Sequence, residues 1–131
     1  MAHEGSLRVV TYTPECKRNL RHLAKKYRRI QDDVQPIIDQ LAGGEKPGDQ
    51  ISGVQQEVFK VRVRNSDAKK GKSGGYRLIY LVRSNAEIVL ITIYSKSEQG
   101  DIPAAEIRKI IASQDAFEGE KINKEELENG P

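Results

Sequence analysis

Residues 58–64 read Val-Phe-Lys-Val-Arg-Val-Arg, and the strict alternation places Phe59, Val61 and Val63 on one side of an extended chain and Lys60, Arg62 and Arg64 on the other. Such a segment needs a core under its apolar side and leaves a row of cations on the opposite side. Two nearly continuous apolar runs follow, Tyr-Arg-Leu-Ile-Tyr-Leu-Val at 76–82 and Ile-Val-Leu-Ile-Thr-Ile-Tyr at 88–94. They suit central strands covered on both faces. Ser84-Asn85 offers a hairpin turn between them, so three sequential strands form a meander.

The chain ahead of the meander supplies its cover. Residues 7–12 are rich in β-branched side chains and predict a first strand, ended by Pro14, which has no N–H for a ladder. Thr13 is a candidate N-cap with Pro14 at the first helical position. Cys16, Leu20, Leu23, Ala24, Tyr27 and Ile30 then form one helical stripe. Asp32 and Asp33 suit the start of a second helix, whose stripe is Val34, Ile37, Ile38 and Leu41, with Pro36 in its first turn and Gly43-Gly44 as its stop. Residues 43–56 read as an irregular loop. A last helix begins near Asp101, with Pro103 in its first turn and Ile107, Ile110 and Ile111 facing inward. The predicted order is β-α-α-β-β-β-α. This is an α+β fold, an antiparallel, mixed-edge four-stranded sheet with an N-terminal helical hairpin on one face and the other face partly open.

The chain of 131 residues has room for one domain. We divide it into a domain over residues 1–114 and an acidic, flexible tail over 115–131. The tail holds six acids against Lys121 and Lys124, a net −4, so residues 1–114 carry about +7 although the whole chain carries +3. That balance suits a polyanionic partner, although the same surplus would also serve solubility alone. No apolar run is long enough to span a membrane and the N-terminus lacks the pattern of a signal peptide, so the expected location is the cytoplasm. One cysteine, Cys16, and two histidines, His3 and His22, offer neither a disulfide framework nor a metal constellation. We assign no cofactor and no metal.

The candidate chemistry lies on the polar side of residues 58–64. Lys60, Arg62 and Arg64 project from one strand, and Arg77 joins them from the next if the register permits. Lys69, Lys70 and Lys72 occupy the Gly/Ser-rich loop at 65–75. Together they would grip phosphates through charge-assisted bonds; the bland alternative is an ordinary solvated strand face. Arg77 speaks against the latter, since a guanidinium inside an apolar run needs a partner or an exposed face. RNA carries its own nucleophile, the 2′-hydroxyl, so a nuclease acting on it needs a proton acceptor, cations for the five-coordinate phosphate and help for the leaving 5′ oxygen. The first helix carries Lys17, Arg18, Arg21, Lys25, Lys26, Arg28 and Arg29 around its stripe, which suits solvent, RNA or an acidic partner. His22, on that helix, is expected to lie away from the strand face, and Cys16 follows the apolar stripe into the core. Gly71-Lys72-Ser73 lacks the earlier glycine and the following helix of a phosphate-binding loop.

The stretches F-K-V-R-V-R, K-K-G-K-S-G-G-Y-R-L-I-Y and I-T-I-Y-S-K-S-E-Q-G-D-I, with P-G-D-Q-I-S-G at 47–53 before them, resemble the RelE/HigB toxins of bacterial toxin–antitoxin pairs, the HigB-like branch above all. The resemblance covers about residues 7–112. It implies a metal-independent endoribonuclease that cleaves mRNA in the ribosomal A site, against 16S ribosomal RNA, and is neutralised by a cognate antitoxin. By that resemblance Arg62 and Arg77 stabilise the phosphate, Lys60 or Lys96 transfers the proton, and Tyr94 stacks on a base or orients the substrate. Arg64, Lys69, Lys70 and Lys72 grip ribosomal RNA. Some relatives place a tyrosine in or near the last helix, whereas none follows Tyr94 here, so Lys96 or Glu98 would replace it. Two other readings are a ParE-like gyrase inhibitor and an inactive member that only binds its antitoxin or RNA; retention of Lys60, Arg62, Arg77 and Lys96 favours cleavage.

Overall fold

The computed structural model describes residues 8–67 and 75–118, with backbone only for 115–118. Its elements are β1 (Val9–Tyr12), α1 (Pro14–Lys26), α2 (Ile30–Ala42), β2 (Asp49–Gln50), β3 (Val58–Val63), β4 (Tyr76–Ser84), β5 (Glu87–Ser95) and α3 (Ala104–Glu118). They build one sheet in the order β1-β5-β4-β3-β2. β1 runs parallel to β5, and the remaining pairs are antiparallel. The sheet therefore has a mixed edge and five strands where the sequence predicts four.

The additional strand, β2, arises from the segment expected to be irregular. Gly48 adopts φ +94°, and a side chain there would collide with the backbone of Lys60. Only glycine lets the chain come that close, after which Asp49 and Gln50 pair with Lys60 and Phe59. Tyr80 fixes the approach by donating its hydroxyl to the Pro47 carbonyl at 2.5 Å.

Thr13 performs two tasks at the β1–α1 junction. Its Oγ1 accepts from the Cys16 N–H at 3.0 Å, capping α1, and donates to the Ile91 carbonyl of β5 at 2.8 Å. α1 stops at Lys26, earlier than its apolar stripe suggests. Tyr27 turns extended and stands edge-on to Tyr76, ring centroids 5.7 Å apart, so Ile30 opens α2 instead of closing α1. Pro36 consequently lies in the interior of α2, not in its first turn. Pro36 and Asp32 are both exposed, so water can serve the Asp32 carbonyl that loses its helical donor. Asp33 uses its carboxylate to hold Ser66 through the backbone N–H and the hydroxyl, and Asp67 accepts from the Arg29 N–H at 2.7 Å.

Side-chain parity in β3 follows the alternation in the sequence. Val61 and Val63 join Tyr76, Leu78, Tyr80, Ile88, Leu90 and Ile93 beneath α1 and α2, and the Phe59 ring stacks on Tyr80 at 5.3 Å. On the opposite face Ile102, Ile107, Ile110 and Ile111 cover Val58, Ile79, Leu81, Val89 and Ile91. α3 starts at Ala104, a few residues after the expected point, with Pro103 ahead of the helix and its carbonyl accepting from Glu106 and Ile107. The helix continues to Glu118, so residues 115–118 of the expected tail are helical, and residues 119–131 lie outside the described residues. α3 closes only part of its face and leaves the end carrying Lys60, Arg62 and Arg77 uncovered. No helix among the described residues is long and apolar enough to cross a membrane.

Candidate functional site

At the uncovered end of the sheet, three strands present their side chains in one row. Arg62 of β3 is the register partner of Arg77 of β4, and Arg77 is the partner of Tyr94 of β5. Lys60 projects from the same face, opposite Ile79. Arg62 is exposed and Arg77 half-buried; the Arg77 Nη1 donates to the Tyr76 carbonyl at 3.3 Å. Adjacent strands lie about 4.8 Å apart, so guanidinium groups on neighbouring strands are close enough to serve one phosphate together.

Asp101 closes the row. A single oxygen, Oδ1, accepts from Lys60 Nζ at 3.3 Å, from the Tyr94 hydroxyl at 3.1 Å and from the Ile102 N–H at 2.8 Å. The Ile102 N–H, with further help from Lys60 and Tyr94, holds the Asp101 carboxyl below the usual carboxylate range. Burial, reinforced by the Asp101 anion, pushes the Tyr94 hydroxyl up to about 12. At neutral pH the tyrosine is thus a donor facing an anion.

The chain reaches Asp101 through a tight reversal after β5. The N–H groups of Glu98 and Gln99 donate to the Ser95 carbonyl, and Lys96 Nζ donates to the Gly100 carbonyl at 2.7 Å. Lys96 is exposed, and its ammonium is bonded to the loop that carries Asp101. Its backbone N–H donates to the Gly75 carbonyl, which joins the end of β5 to the start of β4. The sequence marks Asp101 as the start of the last helix and as the acid that ends the motif I-T-I-Y-S-K-S-E-Q-G-D-I, without a role in the site. Its signal is the seven-residue step from Tyr94 through a turn containing Gly100, which returns an acid to the strand end.

Arg64 is exposed one residue beyond β3; Lys69, Lys70 and Lys72 lie outside the described residues. Cys16 is fully buried, and burial pushes its thiol up to about 12, so it belongs to the core and supplies no thiolate. His22 is exposed on α1 but less remote from the candidate site than expected, because it lines a cavity of 210 Å³ that Tyr94 also lines. Among the described residues no group of three or more His, Cys, Asp or Glu is placed to hold a metal ion.

The row therefore combines two guanidinium groups, an ammonium, a neutral phenol and a carboxylate. That set can bind an anion and move protons beside it. The family model for the RelE toxin of the RelE/RelB toxin–antitoxin system matches residues 17–129, a span that contains every residue of the row.

Proposed function

The chain belongs to the RelE toxin family, the toxin half of a toxin–antitoxin system, and on that premise we propose that it is an endoribonuclease that cleaves mRNA in the ribosomal A site. The observation that carries this reading is the Arg62–Arg77–Tyr94 row closed by Asp101 and Lys60. Arg62 and Arg77 hold the scissile phosphate and meet the charge that builds on it when the 2′ oxygen attacks. A bond forms from the 2′ oxygen to phosphorus, and the bond from phosphorus to the 5′ oxygen breaks. The 2′ proton passes to the Asp101 carboxylate, and the Lys60 ammonium protonates the departing 5′ oxygen. The contact between Lys60 and Asp101 then returns the proton from the acid to the amine, which restores both groups. The Tyr94 hydroxyl orients Asp101. Lys96 lies next to this set through Gly100, and Arg64 contacts ribosomal RNA, the role the sequence also suggests for Lys69, Lys70 and Lys72 outside the described residues.

Asp101 has a low pKa and is by itself a weak base, so the ribosome's alignment of the 2′-hydroxyl supplies much of the acceleration. The cognate antitoxin is expected to present acidic side chains where it covers the row. The site of action is the cytoplasm.

The test is cleavage of a defined mRNA with and without programmed ribosomes, comparing the wild type with Arg77→Ala at matched folding. Ribosome-dependent cleavage that falls about 10²- to 10³-fold in the variant supports the proposal. Cleavage of free RNA overturns the ribosome requirement, and absence of cleavage in either mixture overturns the nuclease reading.

A further inference from the structure

The basic face of α1 and the cavity beside it take no part in the chemistry above. β1 pairs with β5 only as far as Leu90, and beyond that point α1 crosses the uncovered edge of β5. Asn19 fastens the helix there, its Nδ2 donating to Thr92 Oγ1 at 3.0 Å and to the Ile93 carbonyl at 3.4 Å. Next to this contact, α1 and the turn after β5 border the open 210 Å³ cavity, whose polar lining comes from Asn19, His22, Tyr94, Ser95, Glu98 and Gln99.

The lining is rich in acceptors. The Asn19 Nδ2 is spent on β5, which leaves Oδ1 to face a ligand. The Gln99 Nε2 donates to the Asp101 carbonyl at 3.0 Å, which leaves Oε1. Glu98 is a carboxylate whose Oε2 takes Lys26 Nζ at 3.2 Å, which leaves Oε1. Three oxygens of this kind select a ligand that brings N–H donors.

Two neighbours make that ligand part of a polyanion. Tyr94 is shared between the cavity and the cationic row, so a strand of RNA with one phosphate on Arg62 and Arg77 carries an adjacent base to the cavity mouth. Arg21, Lys25 and Lys26 are exposed beside His22 on α1 and suit the next phosphate. An acidic peptide could also use the flanking cations, but its carboxylates would face a lining of acceptors that includes Glu98.

We propose that this cavity receives one unstacked base of the substrate RNA and reads it through an amino group, favouring adenine, cytosine or guanine over uracil. Single-stranded RNA is commonly read by splaying a base against an aromatic ring and hydrogen-bonding its edge. Adenine and cytosine offer an exocyclic amino group and guanine offers N1–H with its amino group, whereas uracil has no amino group and flanks its single N3–H donor with two carbonyls that would face acceptors. This inference rests on the nuclease reading.

The experiment uses the full chain, programmed ribosomes and a set of mRNAs that differ in a single A-site base, with the cleavage rate measured for each base. The wild type is expected to cleave the uracil-bearing RNA about tenfold or more slowly than its best substrate, as expected for one well-made base contact. Glu98→Gln places an amide donor where only an acceptor stood and should bring the uracil ratio toward unity; Gln99→Leu should also reduce it. Both positions are exposed, and circular dichroism confirms folding, so either variant decides if the other is lost. Wild-type rates equal within about twofold, or a ratio that neither variant moves, overturn the cavity and leave the nuclease standing. A wild type that cleaves none of the RNAs removes the nuclease reading and the cavity with it.

Discussion

Arg62 and Arg77 stand directly opposite one another on β3 and β4, two guanidinium groups where a sheet built for stability alone would place an opposite or a neutral pair. Like charges in this position cost up to about 1 kcal/mol. The cost is tolerated because fully buried neighbours on the same face, Ile79 and Val89, each contribute about 1.5–3 kcal/mol. Arg62→Thr should therefore raise stability by about 0.5 kcal/mol, measured as a higher urea midpoint, and lower ribosome-dependent cleavage about 10²-fold or more. A variant that loses stability along with activity would show that Arg62 holds the sheet together.

Asp101 makes part of the stability dependent on pH. Its folded pKa is depressed, so its contribution is fully present above the unfolded carboxylate value of about 3.9 and is lost as pH falls through the lower folded value. Its side chain is 67% exposed, and solvent screening holds the contribution to about 0.5 kcal/mol or less. The difference in urea midpoint between wild type and Asp101→Asn is expected to be constant from about pH 5 to 7 and to close below about pH 4. A difference that persists unchanged at pH 2 would assign the loss to altered packing.

Tyr94 keeps its proton up to about pH 12, so it contributes no titration limb near neutrality. Tyr94→Phe removes the hydroxyl that orients Asp101 but retains the ring. Cleavage should drop about 10-fold, in keeping with the loss of one hydrogen bond to a charged group, while the pH–rate profile between pH 6 and about 9 keeps its shape. A limb that disappears in the variant would instead make Tyr94 the titrating acid or base.

The parity of β3 was legible because alternation has one meaning in a strand: it assigned Phe59, Val61 and Val63 to the core and Lys60 and Arg62 to the site. Thr13-Pro14 was legible as a cap for the same local reason. Asp101 was not, because its role depends on a turn that returns the chain to β3 and β5 from forty-one residues and seven residues away in sequence. The break at Tyr27 was missed since its cause, the edge contact with Tyr76, is tertiary. β2 was missed because two residues carry no periodicity, and only the close approach at Gly48 shows that they pair. The pairing of Arg62 with Arg77 needed register, which the Gly/Ser-rich sequence between the two strands does not reveal.

Gly75 provides the sharpest test of how the fold aims the site. It has φ +62°, and a Cβ there would meet the Val63 carbonyl oxygen at 2.5 Å, while its own carbonyl accepts from the Lys96 N–H at 2.9 Å. Gly75 is thus wedged between the ends of β3 and β5, two residues before Arg77. Alanine must adopt a left-handed conformation and also displace backbone, so Gly75→Ala should cost about 2 kcal/mol or more and reduce cleavage beyond what lost stability explains. Gly100 is the control, because a Cβ there meets nothing within 4 Å; Gly100→Ala should stay within about 0.5 kcal/mol of the wild type. Thermal unfolding and cleavage rates of the two variants, measured together, separate a strained turn that sets the register of Arg77 from a general dislike of side chains in loops around the site. Equal effects at both positions would sink the argument.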